Sequence, residues 1–437
     1  MHSGSELYAR ARRRIPGGTQ LLSKRPEMFL PGEWPSYYSW AKGVVVADLD
    51  GRTYIDMSIC GIGACLLGFA DEDVNQAVHA AVDRGSLCTL NCPEEVELAD
   101  LLCELHPWAA MVRYARCGGE ALAVAVRIAR AYTGRDVVAF CGYHGWQDWY
   151  LAANLAEDDA LTGHLLPGLA PAGVPRGLTG TAFPFRYNRL DELEAIAAAH
   201  PGKLAAVVME PLREREPEDE FLVRVREAAH RAGAVLIFDE VTSGWRLAIG
   251  GAHLNYGAAP DIAVFAKAIS NGHPMAAIVG TEPVMQAAQT SFISSTYWTD
   301  RVGPAAALAT IRKLRQHRVP AYLAEIGNRV KEGWAQAAQR AGLDIAVSGI
   351  APLPRFAIQS PQAQAARTLF TQLMLESGYL ATNAFYATFA HQPGHIDGYL
   401  SACEEAFRTV AKALAEGTVE AQLHGPVAHS GFARLTS

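Results

Sequence analysis

Nothing in this chain is long and apolar enough to cross a bilayer: no run of 18 or more apolar residues occurs. The first thirty residues also lack the apolar core of a signal peptide, so a cytoplasmic protein is expected. Charge is scarce too. Only 19% of the residues are charged, the net formal charge is −7, and the one dense basic run (Arg10, Arg12, Arg13, Arg14) reads as a solvated helix end. A mildly acidic chain lacks the basic surface that coating nucleic acid requires. Metal-ligand spacing is likewise missing, because Cys88-x3-Cys92 has no second Cys or His pair to complete a zinc site, and no metal is expected. With no secretory context, the eight cysteines are expected to be reduced and mostly buried.

What is present is ordinary globular material: 437 residues, half of them hydrophobic, with 39 Gly and 23 Pro spread along the length. The middle of the chain alternates short apolar runs with helical patterns. Met111–Arg116, Val137–Cys141, Leu204–Glu210, Ala234–Glu240, Asp261–Ala266 and Ala276–Gly280 read as buried strands, and Glu120–Tyr132, Leu190–His200 and Glu218–Ala232 as helices between them. That alternation predicts an α/β fold with a mostly parallel, helix-covered sheet. The flanks differ. A hairpin is expected around Asp50-Gly51, a long helix over Ala321–Gly342, and further helices near Ala365–Glu376 and Ile396–Glu416. The expected organisation is a large domain over residues 66–315, with residues 1–65 and 316–437 together forming a smaller α+β domain.

In a parallel sheet, ligands bind beyond the carboxyl ends of the strands. Four such ends carry chemistry: Asp239-Glu240, Glu210-Pro211, Gly142-Tyr143-His144-Gly145 and Lys267. A lysine at the end of an apolar strand either snorkels to solvent or, stripped of water, becomes a nucleophile able to form a Schiff base with an aldehyde. Asp239 ends the most apolar strand and needs a partner; the options are a helix cap, an ion pair with Arg246, or the protonated pyridine nitrogen of pyridoxal phosphate (PLP). Cys117-Gly118-Gly119-Glu120 opens a helix whose free N–H groups suit a phosphate. Tyr143 offers a ring that can stack on a pyridine, and Gly61-x-Gly63 reads as a turn rather than a dinucleotide fingerprint.

Taken together, Gly118-Gly-Glu-Ala121, Arg127-Ile-Ala-Arg-Ala-Tyr-Thr-Gly-Arg135, Tyr143-His-Gly145, Glu210-Pro211, Phe238-Asp-Glu-Val-x-x-Gly-Trp-Arg246 and Pro260-Asp-Ile-x4-Lys267-Ala resemble the class III PLP-dependent aminotransferases, most of all the glutamate semialdehyde aminomutase branch. The similarity runs from about Ile15-Pro-Gly-Gly18 to Tyr379-Leu-Ala381. It implies a fold-type I PLP enzyme, a homodimer with shared active sites, acting on a small-molecule amino donor and a carbonyl acceptor. By position, Lys267 would carry the cofactor as an aldimine and act as the base, Asp239 would pair with the pyridine nitrogen, and Tyr143 and Val241 would lie on the two faces of the ring. Gly118 and Gly119 would hold the phosphate, joined by Thr299 or Thr296 of the partner subunit. Amino transfer through a pyridoxamine phosphate intermediate is the implied reaction; an intramolecular aminomutase or a racemase would use the same lysine and ring, and a non-catalytic PLP-binding protein is the remote alternative.

Two departures from the family pattern stand out. Cys117-Gly118-Gly119 replaces the usual Ser-Gly-Thr and lacks its hydroxyl donors, so weaker cofactor retention is expected. Tyr386 replaces a glutamate of the true aminomutases, and Leu21-Leu22-Ser23-Lys24-Arg25 stands where they carry Ser-Pro-Val-Arg, so a different substrate is expected. Trp146, Trp149, Tyr37, Tyr38 and Tyr386 are candidate aromatic surfaces for it, and Lys24, Arg25 and Arg246 candidate carboxylate partners.

Overall fold

The computed structural model describes residues 3–157, 159–164, 169–212 and 214–431. They divide into two compact units, one formed by Glu72–Pro320 and the other by Met1–Asp71 with Ala321–Ser437. No helix among the described residues is long and apolar enough to cross a membrane.

The larger unit is built on a seven-stranded sheet. Its spatial order is Met111–Ala115, Ala276–Gly280, Ile262–Phe265, Val235–Asp239, Leu204–Met209, Val137–Cys141 and Ala182–Pro184. Ala276–Gly280 runs antiparallel to both neighbours, and the other pairings are parallel. The strands read as unbroken apolar runs because both faces are covered. Val138, Phe140, Ala206, Val208 and Ile237 pack on one side with Ala121, Leu122, Ala125 and Ile128 of the helix Gly118–Thr133. Ala139, Val207, Met209, Leu236 and Phe238 pack on the other with Leu222, Val225 and Ala229 of the helix Phe221–Arg231.

Three details differ from the sequence expectation. Ala182–Pro184 is a sheet-edge strand of three residues, too short to give a periodic signal and ended by a proline. The helix expected from Glu218 starts only at Phe221, because Asp219 and Glu220 have left-handed backbones (φ +48° and +54°). Cys60, Cys141 and Cys403 are buried while Cys88 and Cys117 are exposed, so fewer cysteines are interior than expected; all eight are free thiols.

In the smaller unit, Tyr38–Lys42, Val45–Asp48 and Thr53–Asp56 form an antiparallel meander, and Tyr379–Leu380 adds in parallel beside Thr53–Asp56. The turn between its last two strands centres on Gly51 at φ +87°, and the Asp48 carboxylate accepts the N–H groups of Asp50 and Arg52 at 2.9 Å each. Buried His391 joins distant parts of the sequence: its Nε2 donates to the Asp56 carbonyl at 2.9 Å, and its Nδ1 accepts the Thr388 N–H at 3.0 Å. That arrangement has no room for a second ring proton, and burial pushes His391 down to about 4.

In the larger unit, burial likewise pushes His106 down to about 4. Both imidazoles stay neutral in the folded protein while unfolded histidine titrates near 6.5, so acid protonates the unfolded chain first. Each therefore contributes stability that is complete above pH 6.5 and lost as the pH falls toward 4, at about 1.4 kcal/mol per pH unit. Urea unfolding of the wild type and of His391→Gln across this range should differ in slope by about one proton; equal slopes would contradict the assignment.

Candidate active site

The strand ends of the larger unit lie abreast. Asp239 is in register with Val264, Met209 with Phe238, and Cys141 with Met209. Asp239, Glu210, the Gly142–Gly145 loop and Lys267 are thereby set along one edge of the sheet, as the strand-end argument anticipates.

Asp239 is almost completely buried. Its Oδ2 lies 2.8 Å from Nδ1 of His144, and its Oδ1 accepts the Val241 N–H at 3.0 Å. His144 is itself fully buried, with Trp149 stacked on its ring, and its Nε2 lies 3.1 Å from the Cys141 carbonyl. A carbonyl only accepts, so Nε2 carries a proton, and the contact between Nδ1 and Oδ2 holds exactly one more, shared between imidazole and carboxyl. Burial pushes the Asp239 carboxyl upward and the His144 hydrogen bond pulls it down, while the Glu210 charge adds to the upward push. Glu210 is close because Gly142 admits it: a Cβ there would stand 2.5 Å from Glu210 Oε2, and the backbone at φ +115° excludes one in any case. The same Oε2 accepts the Tyr143 N–H at 3.0 Å.

The neighbouring carboxyl does different work. Glu240 accepts both the ring and the backbone N–H of His253 and the Ser243 hydroxyl; these bonds outweigh burial and hold it below the usual carboxylate range. It organises the loop that follows, and Asp239 alone of the two faces His144 and the strand-end loop.

Lys267 is half-buried, and its Nζ donates to the Thr242 hydroxyl at 3.1 Å. Its backbone is left-handed (φ +50°), a strained conformation for a residue with a Cβ and one that clusters at functional sites. The helix Gly118–Thr133 starts within reach, since a Cβ on Gly118 would stand 2.9 Å from Val241, two residues beyond Asp239. Tyr143 and Val241 both border the apolar cluster under this edge. Thr296 and Thr299 lie on an exposed turn, with the Thr299 hydroxyl donating to the Thr296 carbonyl at 2.9 Å.

Trp146 is 74% exposed directly after this loop. Lys24, Arg25 and Tyr386 belong to the smaller unit, where Lys24 ends a short turn at Leu22–Lys24 and the Tyr386 N–H donates to the Ser58 carbonyl. Arg246 is buried with its Nε on the Thr242 carbonyl at 2.8 Å. Two residues received no role from sequence: His144, named only as part of the Gly142-Tyr143-His144-Gly145 strand end, and Thr242. Adjacency of His144 to Tyr143 in the motif is the one signal available for the former.

A profile of the family described as aminotransferase class-III matches residues 32–378. The chain is 30% identical over 421 residues to the 3-aminobutyryl-CoA aminotransferase of Cloacimonas acidaminovorans, covering 93% of this chain and 97% of that one. It is 35% identical over 351 residues to the glutamate-1-semialdehyde 2,1-aminomutase of Akkermansia muciniphila, covering 78% and 80%. Among solved structures, the PLP internal aldimine form of the FumI protein of Sphingopyxis sp. MTA144 superimposes with a TM-score of 0.85 over 94% of this chain and 97% of that one, at 26% identity.

Removing the partner of a buried carboxylate is costly. His144→Phe should destabilise the protein by about 3–5 kcal/mol in urea unfolding, and adding Asp239→Asn, which deletes the charge, should restore part of the loss. A neutral His144→Phe would contradict the shared-proton pair.

Proposed function

Because the chain belongs to the class-III aminotransferase family, we propose that the Asp239, Lys267 and Gly118 cluster is the catalytic centre of its PLP-dependent amino transfer, from a small-molecule amino donor to a carbonyl acceptor. The fold is the fold-type I arrangement of the transaminases. The observation that carries the residue assignment is the buried, proton-sharing Asp239 on the same sheet edge as a strained, half-buried lysine.

When bound, the cofactor supplies an electron sink: a ring whose protonated nitrogen draws in the electron pair left when a proton leaves the substrate carbon. The residues fit it. Asp239, backed by the Glu210 charge, keeps that nitrogen protonated, and His144 fixes the carboxyl in place. Tyr143 and Val241 confine the ring. The first N–H groups of the helix Gly118–Thr133 receive the phosphate, and a side chain on Gly118 would collide with Val241 there. Lys267 Nζ takes the proton from the substrate carbon and returns it one position away, and Thr242 Oγ1 holds that amine between the two positions.

The acceptor differs from glutamate semialdehyde, with Trp146 beside the strand-end loop assigned to its recognition. A second copy of the chain covers Leu90, Phe292 and Tyr297, which are 79%, 89% and 70% exposed here, and lends Thr299 or Thr296 to the phosphate. Single-chain mass in sedimentation would overturn that part, and comparison of Thr299→Ala with Thr296→Ala identifies the donor.

Lys267→Ala should abolish turnover, and Asp239→Asn should lower kcat on the order of 10²- to 10⁴-fold. With a ¹⁵N-labelled amino donor and an unlabelled acceptor, label should appear in a second molecule. Label that moves to a different carbon of its original skeleton would instead establish the aminomutase reading that the Akkermansia muciniphila relative favours.

A further inference from the structure

The helix that faces the cofactor's phosphate begins Cys117-Gly118-Gly119 and so offers no hydroxyl in its first turn. Its donor supply is thinner still, because the Glu120 carboxylate turns back onto the Arg116 and Cys117 N–H groups at 2.9 and 3.4 Å and occupies them. The Ala121 N–H is bonded to the Cys117 carbonyl, and the Glu120 N–H is turned to the Cys117 sulfur. What remains at the helix start are the N–H groups of Gly118 and Gly119, which have no preceding helical carbonyl to bond. Two backbone donors are few for a phosphate dianion.

The side chain of Gln147 fills the room above Gly119. A Cβ on Gly119 would stand 2.7 Å from both Nε2 and Oε1 of Gln147, and a Cβ on Gly145 would stand 2.5 Å from the same oxygen. Gly145, at φ +102°, also brings its backbone close to Gly119, since its Cβ would lie 3.0 Å from the Gly119 Cα. Two glycines from separate strand ends thus form a slot for one carboxamide. Its orientation is set as well: the Trp146 N–H donates to Oε1 at 3.1 Å, which commits the oxygen as acceptor and leaves the NH₂ as the donor end. The backbone of Gln147 is pinned by the N–H groups of Tyr150 and Leu151, which donate to its carbonyl at 3.0 and 3.1 Å, with Trp149 and Tyr150 buried behind it.

We propose that the Gln147 carboxamide is a phosphate-binding group of this protein, donating through Nε2 where the first turn of the helix has only glycine. Gly119 is then not a lost donor but the clearance that admits a longer side chain from the neighbouring loop. The proposal rests on the reading that this helix start receives the cofactor's phosphate, and it replaces the expectation of weak cofactor retention with retention that depends on one amide.

The test follows cofactor release from the full-length protein loaded with PLP or with pyridoxal, which lacks the phosphate, in the wild type and in Gln147→Ala, Gln147→Glu and Gln147→Ala/Gly119→Thr. Gln147→Ala should release PLP faster by on the order of ten- to a hundred-fold, the worth of one hydrogen bond to a charged acceptor, and release pyridoxal at the wild-type rate. Gln147→Glu keeps the shape of the slot but presents a carboxylate, so it should release PLP at least as fast as Gln147→Ala; a merely space-filling residue would tolerate that change. The double variant, which restores a hydroxyl in the vacated room, should recover most of the retention. Wild-type release of PLP from Gln147→Ala and Gln147→Glu would overturn the proposal alone. A wild-type protein that holds pyridoxal as long as PLP would overturn the phosphate reading beneath it.

Discussion

A carboxyl group at the end of a central strand is an expensive thing to bury, and the larger unit is arranged around making Asp239 tolerable there. His144 answers it at 2.8 Å, and the Cys141 carbonyl behind the imidazole dictates how many protons the pair holds. Because that carbonyl can only accept, Nε2 keeps its proton, and the contact between Nδ1 and the acid needs a second one. The position of His144 is fixed in turn by its burial against Trp149 and Phe140. A charge state is thus specified by packing two strands away from the carboxyl.

The same constraint explains why glycines gather at this edge. Gly142 lets Glu210 approach, Gly118 lets Val241 approach, and Gly145 lets the following loop close down on the helix start. Each is a place where two strand ends meet more tightly than a Cβ permits. Asp239 and Glu240, adjacent in sequence, illustrate the division that results: one side chain shares a proton at the site, and the other anchors the segment carrying His253.

The sheet was legible in the sequence because six of its strands are apolar runs bounded by turns, and the sheet covered on both faces produces that signature directly. The seventh, Ala182–Pro184, is too short to do so. Helices Glu72–Asp83, Pro93–Leu105 and Val302–Gln316 lie outside the strand–helix alternation that makes the sheet legible and are not anticipated from it. For the site, residue types at strand ends pointed to Asp239 and Lys267, whereas pairing is not written in spacing. Nothing in a separation of 95 residues announces that His144 meets Asp239. The glycines at 118 and 119 were visible as a departure, but only the geometry shows that Gln147 stands over one of them. Lys24, Arg25 and Tyr386 are legible only as differences from the family pattern, which does not say what is bound.

Lys267 occupies a backbone conformation that glycine or asparagine would accept with less strain. Replacing it with either would relieve a cost of order 1 kcal/mol, so a design or selection scored on thermal stability alone would discard the amine proposed to carry the chemistry. Consensus or stabilising libraries built on this scaffold therefore need position 267 held fixed, and an unexpectedly heat-resistant isolate is a reason to sequence that codon first.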